Sequence, residues 1–342
     1  MNTKKDIMSM TLSELIDDFL KIGFKKYKAE QAFKWLSRGV CSFDEMTDLS
    51  KEHRDLLNEK YRIPTAKIIK KQISNDGTIK FAIEFEDKSI VESVLMKYKF
   101  GNSICVSTQV GCKMQCKFCA NSNLSFFRNL SPSEIILQIQ TISKSENVSI
   151  SNITLMGIGE PFDNYDNVLK FLHIAISQKG MNIGARRISV STCGLTDKIK
   201  KFADENLGVT LSVSLHAVKN NLRSIIMPVN KFCSLEKLHD ACKYYNDKTN
   251  KRISFEYIML KDFNDSKEDA ELLSKFLRGL IFHVNLIPAN NVGNNLSGTP
   301  IEKVHIFASW LIKLGVNVTV RRTLGSDISA SCGQLRAQIT KE

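Results

Sequence analysis

Long apolar runs are missing from this 342-residue chain. No uncharged stretch approaches the roughly 18 residues that a bilayer-crossing helix needs. The opening segment, MNTKKDIMSMTLSELIDDFL, threads charges through its apolar residues and so lacks the unbroken apolar centre of a secretory leader. No repeat of fixed period and no low-complexity tract is visible, which excludes collagen-like or largely disordered chains. An even set of cysteines is also missing. The nine are Cys41, Cys105, Cys112, Cys116, Cys119, Cys193, Cys233, Cys242 and Cys332. An odd number in a long chain without a leader argues against a disulfide framework and for metal-binding or catalytic thiols. These absences point to a soluble, reduced, cytoplasmic protein.

Positive charge is in excess. Lysine and arginine total 48 against 36 acids, a net charge of +12. Such a balance suits a polyanionic partner, nucleic acid above all, although a solvated basic surface accounts for the charge equally well. With 43% hydrophobic and 25% charged residues the chain can bury a sizeable core without staples. Its length suits two domains, or one large α/β unit with an appendage.

Residues 1–62 read as a helical module. Leu12, Leu15, Ile16 and Phe19 recur at helical spacing, as do Ala32, Trp35 and Leu36. Lys25, Lys26 and Lys28 make it basic, Cys41 to Asp44 reads as a loop with Asp44 a cap for the next segment, and Pro64 ends it. Residues 63–97 read as a β-hairpin extension: Thr78–Phe85 alternates with period two, Asp87-Lys88 turns, and Ser89–Met96 returns. From residue 98 to 342, short β-branched runs alternate with helical stretches. The runs are 104–108, 152–157, 187–192, 209–215, 253–260, 283–288 and 317–323. Ser131-Pro132 opens one helix, and Thr196 and Ser234 look like caps of others. The pattern predicts an α/β chain built on a partial (β/α)6 TIM-like barrel. A Rossmann sheet is disfavoured, because Gly157-Ile-Gly159 lacks the third glycine of its fingerprint. Polar oddities gather where strands end, which is where such barrels carry their chemistry.

The densest signal is Cys112-x-x-x-Cys116-x-x-Cys119. Three thiols converge within eight residues and no fourth cysteine stands beside them. Structural zinc wants four closed ligands, whereas an iron–sulfur cluster can leave one iron free for a substrate or cofactor. A zinc-stabilised RNA-binding module and plain uncoordinated thiols are the alternatives. Phe118, just before the last cysteine, would shield the site from water.

This loop, with an aromatic residue before its last cysteine, resembles the hallmark of the radical S-adenosylmethionine (SAM) superfamily. Gly157-Ile-Gly159-Glu160-Pro161 is similar to that superfamily's SAM-amine contact. The C-terminal Arg321-Arg322-Thr-Leu-Gly-Ser-Asp327-Ile-Ser-Ala-Ser-Cys332-Gly-Gln-Leu335 is narrower. It resembles the RlmN/Cfr family of RNA adenine methyltransferases, as does Cys105 seven positions before Cys112. The N-terminal segment resembles the family's accessory domain, so the likeness covers nearly the whole chain. Pro161, Ser214-Leu215-His216-Ala217 and Ile287-Pro288 lean to the RlmN branch. Cys193 stands where a smaller residue is usual, a change that reads as tolerated.

The resemblance implies a mechanism. Cys112, Cys116 and Cys119 hold a [4Fe-4S] cluster whose open iron binds SAM. One SAM methylates Cys332. A second is cleaved to a radical that takes a hydrogen from that methyl, and the carbon then adds to adenine. Cys105 resolves the protein–RNA adduct through a transient disulfide with Cys332. Gly159, Glu160, Ser191, Ser214, Leu215, His216 and Asn290 match SAM-contacting positions, and Glu92 a proton acceptor. Arg321 and Arg322 are candidates for favouring a thiolate. Read alone, His216 would be a core histidine, Ser191 a turn residue, Asn290 loop punctuation, and Glu92 a polar residue on a strand's outer face. Cys41, Cys233 and Cys242 read as small apolar residues. The chemistry justifies a radical, because C2 of adenine is electron-poor and cannot attack the methyl of SAM. The target base must be extruded or unpaired. Implied substrates are 23S rRNA, in its peptidyl-transferase loop, and tRNA, at the adenosine 3′ of the anticodon. A flavodoxin- or ferredoxin-type donor would supply electrons to a monomer with no membrane partner. A Cfr-like enzyme acting on C8 is the alternative within the family.

Overall fold

The computed structural model describes residues 4–122, 124–289 and 296–335, and the backbone of 338–339. Three helices open the chain: α1 (Leu12–Lys21), α2 (Lys26–Ser37) and α3 (Lys51–Lys60). Thr11 and Glu14 form a reciprocal cap that satisfies two orphan donors of α1. Leu15 and Phe19, then Ala32 and Leu36, are buried at the predicted spacing, while Trp35 is partly buried and donates to Asp48 Oδ1 at 2.7 Å. Asp44 is not a cap. It lies inside a 3-10 turn that Ser42 and Glu45 bracket, and Ser50 caps α3. Cys41 is exposed in the loop, where Glu45 takes its amide proton, so it is no core residue.

The chain then builds one eleven-stranded sheet. β1 (Ala66–Ile73), β2 (Ile79–Phe85) and β3 (Ser89–Tyr98) are antiparallel. The predicted hairpin is therefore β2–β3, with β1 as an unread third strand. β3 also pairs with β4 (Gly101–Cys105), so the extension and the remainder share a sheet without a break. Parallel strands come next: β5 (Ile150–Leu155), β6 (Ile188–Thr192), β7 (Thr210–Ser214), β8 (Ile253–Met259), β9 (Phe282–Pro288) and β10 (Val318–Val320). A short β11 (Gln338–Ile339) lies antiparallel to the start of β3.

Strands β4 to β10 pair side by side in chain order, all parallel. A doubly wound sheet would reverse its order at a switch point. Sequential order is the order of a barrel, left open here because β4 pairs with β3. Six helices cross between these strands: α4 (Pro132–Glu146), α5 (Tyr165–Ile176), α6 (Thr196–Glu205), α8 (Leu235–Thr249), α9 (Lys267–Phe276) and α10 (Ile301–Lys313). A shorter α7 (Asn220–Ile226) precedes α8. The partial (β/α)6 reading holds, with a seventh strand at the far edge. Ser131 caps α4 with Pro132 at its first position, and Ser234 precedes α8. Thr196 is the first residue of α6 and Leu195 is its cap. Val190, Leu211, Val213, Phe255 and Leu286 are fully buried, as strands covered on both faces require. Among the described residues no helix is long and apolar enough to cross a membrane.

Candidate active site

All seven parallel strands point their carboxyl ends toward one rim. The loop beyond β4 carries the three clustered cysteines. It turns at Gly111, whose φ is +77° and where a Cβ would sit 2.2 Å from the Ser125 carbonyl oxygen, so only glycine fits. Lys117 N donates to Ile226 O at 2.9 Å and ties the loop to α7. Cys112, Cys116 and Cys119 line a single cavity. Burial pushes all three thiols up, Cys112 to about 12, so negative charge there needs compensation. Met114 N and Asn121 Nδ2 direct protons at the Cys112 and Cys119 sulfurs, at 3.5 and 3.8 Å. Among the described residues no three Cys, His, Asp or Glu side chains converge on a single-ion geometry. Three thiols around one cavity suit an iron–sulfur cluster that leaves one iron free for a ligand.

The cavity's floor comes from the ends of β5, β6 and β7. Gly159 has a φ of +103°, and a Cβ on it would meet Gln109 Cβ at 2.6 Å. That close approach lets Gln109 Oε1 accept from Glu160 N at 2.9 Å. Glu160 is buried and uses both oxygens: Oε1 accepts from Phe162 N at 3.0 Å and Oε2 from Cys193 N at 2.7 Å. Burial pushes its carboxyl up, and these two amides oppose the shift. Gly159, Glu160, Ser191, Ser214 and His216 all line this cavity, together with Cys193. Leu215 does not, since its side chain is fully buried in the core. Asn290 lies outside the described residues. His216 is both a core and a cavity residue. It is 4% exposed, stacks edge-on against Phe118 at 4.6 Å, and accepts from Ile258 N through Nδ1. That bond leaves the proton on Nε2, and burial pushes the imidazole pKa down to about 3, so His216 is neutral.

A second chamber adjoins the first. Cys105, Tyr98, Arg322 and Leu335 line it, and Cys332, Arg321, Phe118 and Met156 line both. Cys332 is therefore at the junction, exposed, with the cluster thiols on one side and Cys105 on the other. Burial, then the nearby Cys332 sulfur, pushes the Cys105 thiol up to about 12. Arg321 is held firmly protonated, first by the Cys332 sulfur beside it. Arg322 is exposed at the rim.

Two sets of bonds hold the Cys332 segment in place. Ala120 N donates to Gly333 O at 2.6 Å and Asn121 Nδ2 to Leu335 O at 2.5 Å, which fastens it to the cysteine loop. On its other side it docks on the β1–β2 turn. Asp76 Oδ2 accepts from Gly325 N at 2.8 Å, and Asp327 accepts from Ser74 Oγ and Asn75 N at 2.5 and 3.1 Å. Glu92 sits in the alternating row of β3 that continues through Val94, Met96 and Tyr98. It lines neither chamber and pairs with Lys80 at 3.4 Å.

Two residues of this site escape sequence reading. Glu256 in β8 is buried beside the first cavity. Its Oε1 accepts from Ser254 and Asn285, while Oε2 accepts no hydrogen bond from the described residues and lies 3.8 Å from Arg321 Nη1. Arg223 in α7 is fully buried. It donates to the carbonyls of Cys193, Ser214 and Leu215 at 2.8, 3.0 and 3.0 Å and to Asn230 Oδ1 at 2.9 Å, fastening the ends of β6 and β7 together. The signal for Glu256 is the one charged residue in a buried, mostly apolar strand.

Residues 106–273 match the Radical SAM superfamily model, and residues 5–63 match the model for the ribosomal RNA large subunit methyltransferase N-terminal domain. A probable dual-specificity RNA methyltransferase RlmN of Clostridium novyi is 48% identical over 335 residues, 97% of this chain and 98% of that protein. The chain belongs to the RlmN family of radical SAM methyltransferases. Another RlmN relative, from Spiroplasma citri, is 48% identical across 95% of each chain. The crystal structure of a radical SAM methyltransferase from Sphaerobacter thermophilus superposes with a TM-score of 0.90 at 38% identity, covering 97% of this chain and 99% of that one. The motif-based resemblance and the expected fold are thus borne out. Radical SAM membership brings a [4Fe-4S] cluster and SAM as cofactors, and the cavity offers three thiols, a glycine-lined floor and a buried carboxylate oxygen that accepts no hydrogen bond from the described residues.

Proposed function

We propose that this enzyme methylates C2 of adenosine in 23S rRNA and in tRNA, consuming two SAM per methyl group and carrying the new carbon on Cys332. The observation that carries the reading is the placement of Cys332 between the cavity of Cys112, Cys116 and Cys119 and the chamber of Cys105. Cys112, Cys116 and Cys119 would hold the cluster. Gly159, Glu160, Ser191, Ser214, His216 and Asn290 would hold SAM, with Leu215 contributing through its backbone. When bound, the cluster and SAM supply a methyl group and a hydrogen-abstracting radical, chemistry no side chain offers.

The chain's own residues do the rest. Arg321 lies beside the Cys332 sulfur, which takes the methyl group from SAM. Through that carbon Cys332 becomes joined to the base. Cys105, protonated at rest, gives up its proton and bonds to the Cys332 sulfur. The sulfur–carbon bond breaks and its electron pair stays on the carbon, which takes a proton to complete the methyl group. An external dithiol then reduces the disulfide back to two thiols. Glu92, paired with Lys80 and one step along the alternating row of β3 from the chamber-lining Val94, is the proposed proton acceptor. Phe118, Met156, Ile258 and Ile287 keep both chambers apolar and short of water. The helical module of residues 1–62 and the extension of 63–97 would hold RNA phosphates against residues 98–342, giving salt-sensitive affinity. The expected setting is the cytoplasm, with a monomeric enzyme fed by a flavodoxin- or ferredoxin-type donor. Mass spectrometry of rRNA and tRNA from a deletion strain tests the reading: 2-methyladenosine should vanish and return on complementation. Unchanged 2-methyladenosine, or 8-methyladenosine as the product, would overturn it.

A further inference from the structure

Tyr98 ends β3 and Gly101 opens β4, so Lys99 and Phe100 form a two-residue turn between paired strands. The rings of Tyr98 and Phe100 stack, with centroids 4.8 Å apart and planes 8° from parallel. Tyr98 lines the chamber of Cys105 and Cys332. Phe100 stands outside it and is 74% exposed. With one face against Tyr98, it turns its other face to solvent. Cations surround this pair: Arg321 and Arg322 line the same chamber, and Lys99 and Arg322 are exposed. An aromatic face beside a cationic rim is what unpaired nucleic acid binds, bases on the ring and phosphates on the cations. A tight turn and a stacked neighbour hold the ring in place beforehand, so little ordering cost falls on binding.

We propose that the Tyr98–Phe100 stack is a nucleobase platform. An unpaired RNA base next to the target adenosine stacks on the outer face of Phe100, Lys99 and Arg322 meet the adjoining phosphates, and the target base is thereby aimed into the chamber of Cys105 and Cys332. The proposal rests on the RNA-methylating reading for its substrate, and it assigns specific residues to recognition outside the reacting chamber. A protein partner suits the site less well, because the charge of the rim and of the chain is positive.

The test is a mutant cycle on RNA binding. The probes are an RNA hairpin with the target adenosine in its loop, and the same hairpin with an abasic site immediately 5′ or 3′ of that adenosine. Affinity is read by fluorescence anisotropy on the full chain carrying its cluster. Phe100→Leu should weaken the intact hairpin about fivefold or more, the value of one base–aromatic stack. Phe100→Trp should restore it. With the abasic site on the platform side, Phe100→Leu should cost nothing further. Equal affinity of Phe100→Leu and wild type for the intact hairpin would overturn the platform. So would an equal loss on the intact and both abasic hairpins. Because binding is read without turnover, coupling without 2-methyladenosine would sink the chemistry alone, and 2-methyladenosine without coupling would sink the platform alone.

Discussion

Glu160 Oε2 takes the amide proton of Cys193 at 2.7 Å, joining the end of β5 to the end of β6 across the floor of the cysteine-lined cavity. Its other oxygen takes Phe162 N. A glutamine has one acceptor oxygen, so Glu160→Gln must aim an NH2 group at one of two amide protons. Hydrogen bonds to a charged group are worth about 1.5–3 kcal/mol. Glu160→Gln should therefore weaken SAM binding about tenfold or more in equilibrium dialysis of cluster-loaded protein. Affinity within twofold of wild type would mean that Glu160 shapes neither the floor nor the ligand.

The docking of the Cys332 segment depends on two carboxylates. Burial alone would raise Asp76, but the amide of Gly325 and the hydroxyl and amide of Thr78 outweigh it and hold the group below its ordinary value of 3.8. Ser74 and Asn75 pull Asp327 down in the same way. Acids depressed by folding lend stability that is complete above their unfolded pKa and is lost as pH falls through the folded one. Docking should be insensitive to pH from 5 to 8 and weaken below about 4. Asp76→Asn should speed exchange of the Gly325 amide at pH 7 by about threefold or more. Hydrogen exchange resolved by mass spectrometry checks this; identical exchange would show that the segment is held elsewhere.

Cys105 is pushed up to about 12 by burial and then by Cys332. Removing the Cys332 sulfur removes a like charge, so Cys332→Ala should lower the midpoint of Cys105 alkylation. The rate of iodoacetamide labelling tracks the thiolate. Plotted against pH it should rise earlier in Cys332→Ala than in wild type. A later or unmoved rise would separate the two sulfurs electrostatically. In the proposed cycle, methylation of Cys332 has the same effect, readying Cys105 once the carbon is loaded.

What the sequence made legible was local or periodic. The cysteine loop, the capped start of α4 and the apolar runs of β5 to β9 each carry their information within a few residues. The strand ends could be placed from those runs, and so could the gathering of Gly159, Ser191, Ser214 and His216 at one rim. Strand β1 escaped because AKIIKKQI is rich in lysine and its register shifts between Ile68 and Lys70, which breaks the alternation. Arg223 looked like any helical arginine, and only its burial reveals that it holds two strand ends. The Asp76–Gly325 and Ser74–Asp327 bonds join residues some 250 positions apart, which no spacing rule can reach.

The claim on which everything turns is that Cys332 carries carbon to the base and Cys105 releases it. Cluster-loaded Cys105→Ala, given SAM labelled in its methyl group, reductant and RNA, should accumulate a covalent protein–RNA adduct. Its label should map by tandem mass spectrometry to a one-carbon bridge between Cys332 and adenine C2. Cys332→Ala should give neither adduct nor product. Free 2-methyladenosine formed by Cys332→Ala, or an equal absence of adduct in both variants while wild type turns over, would contradict the account.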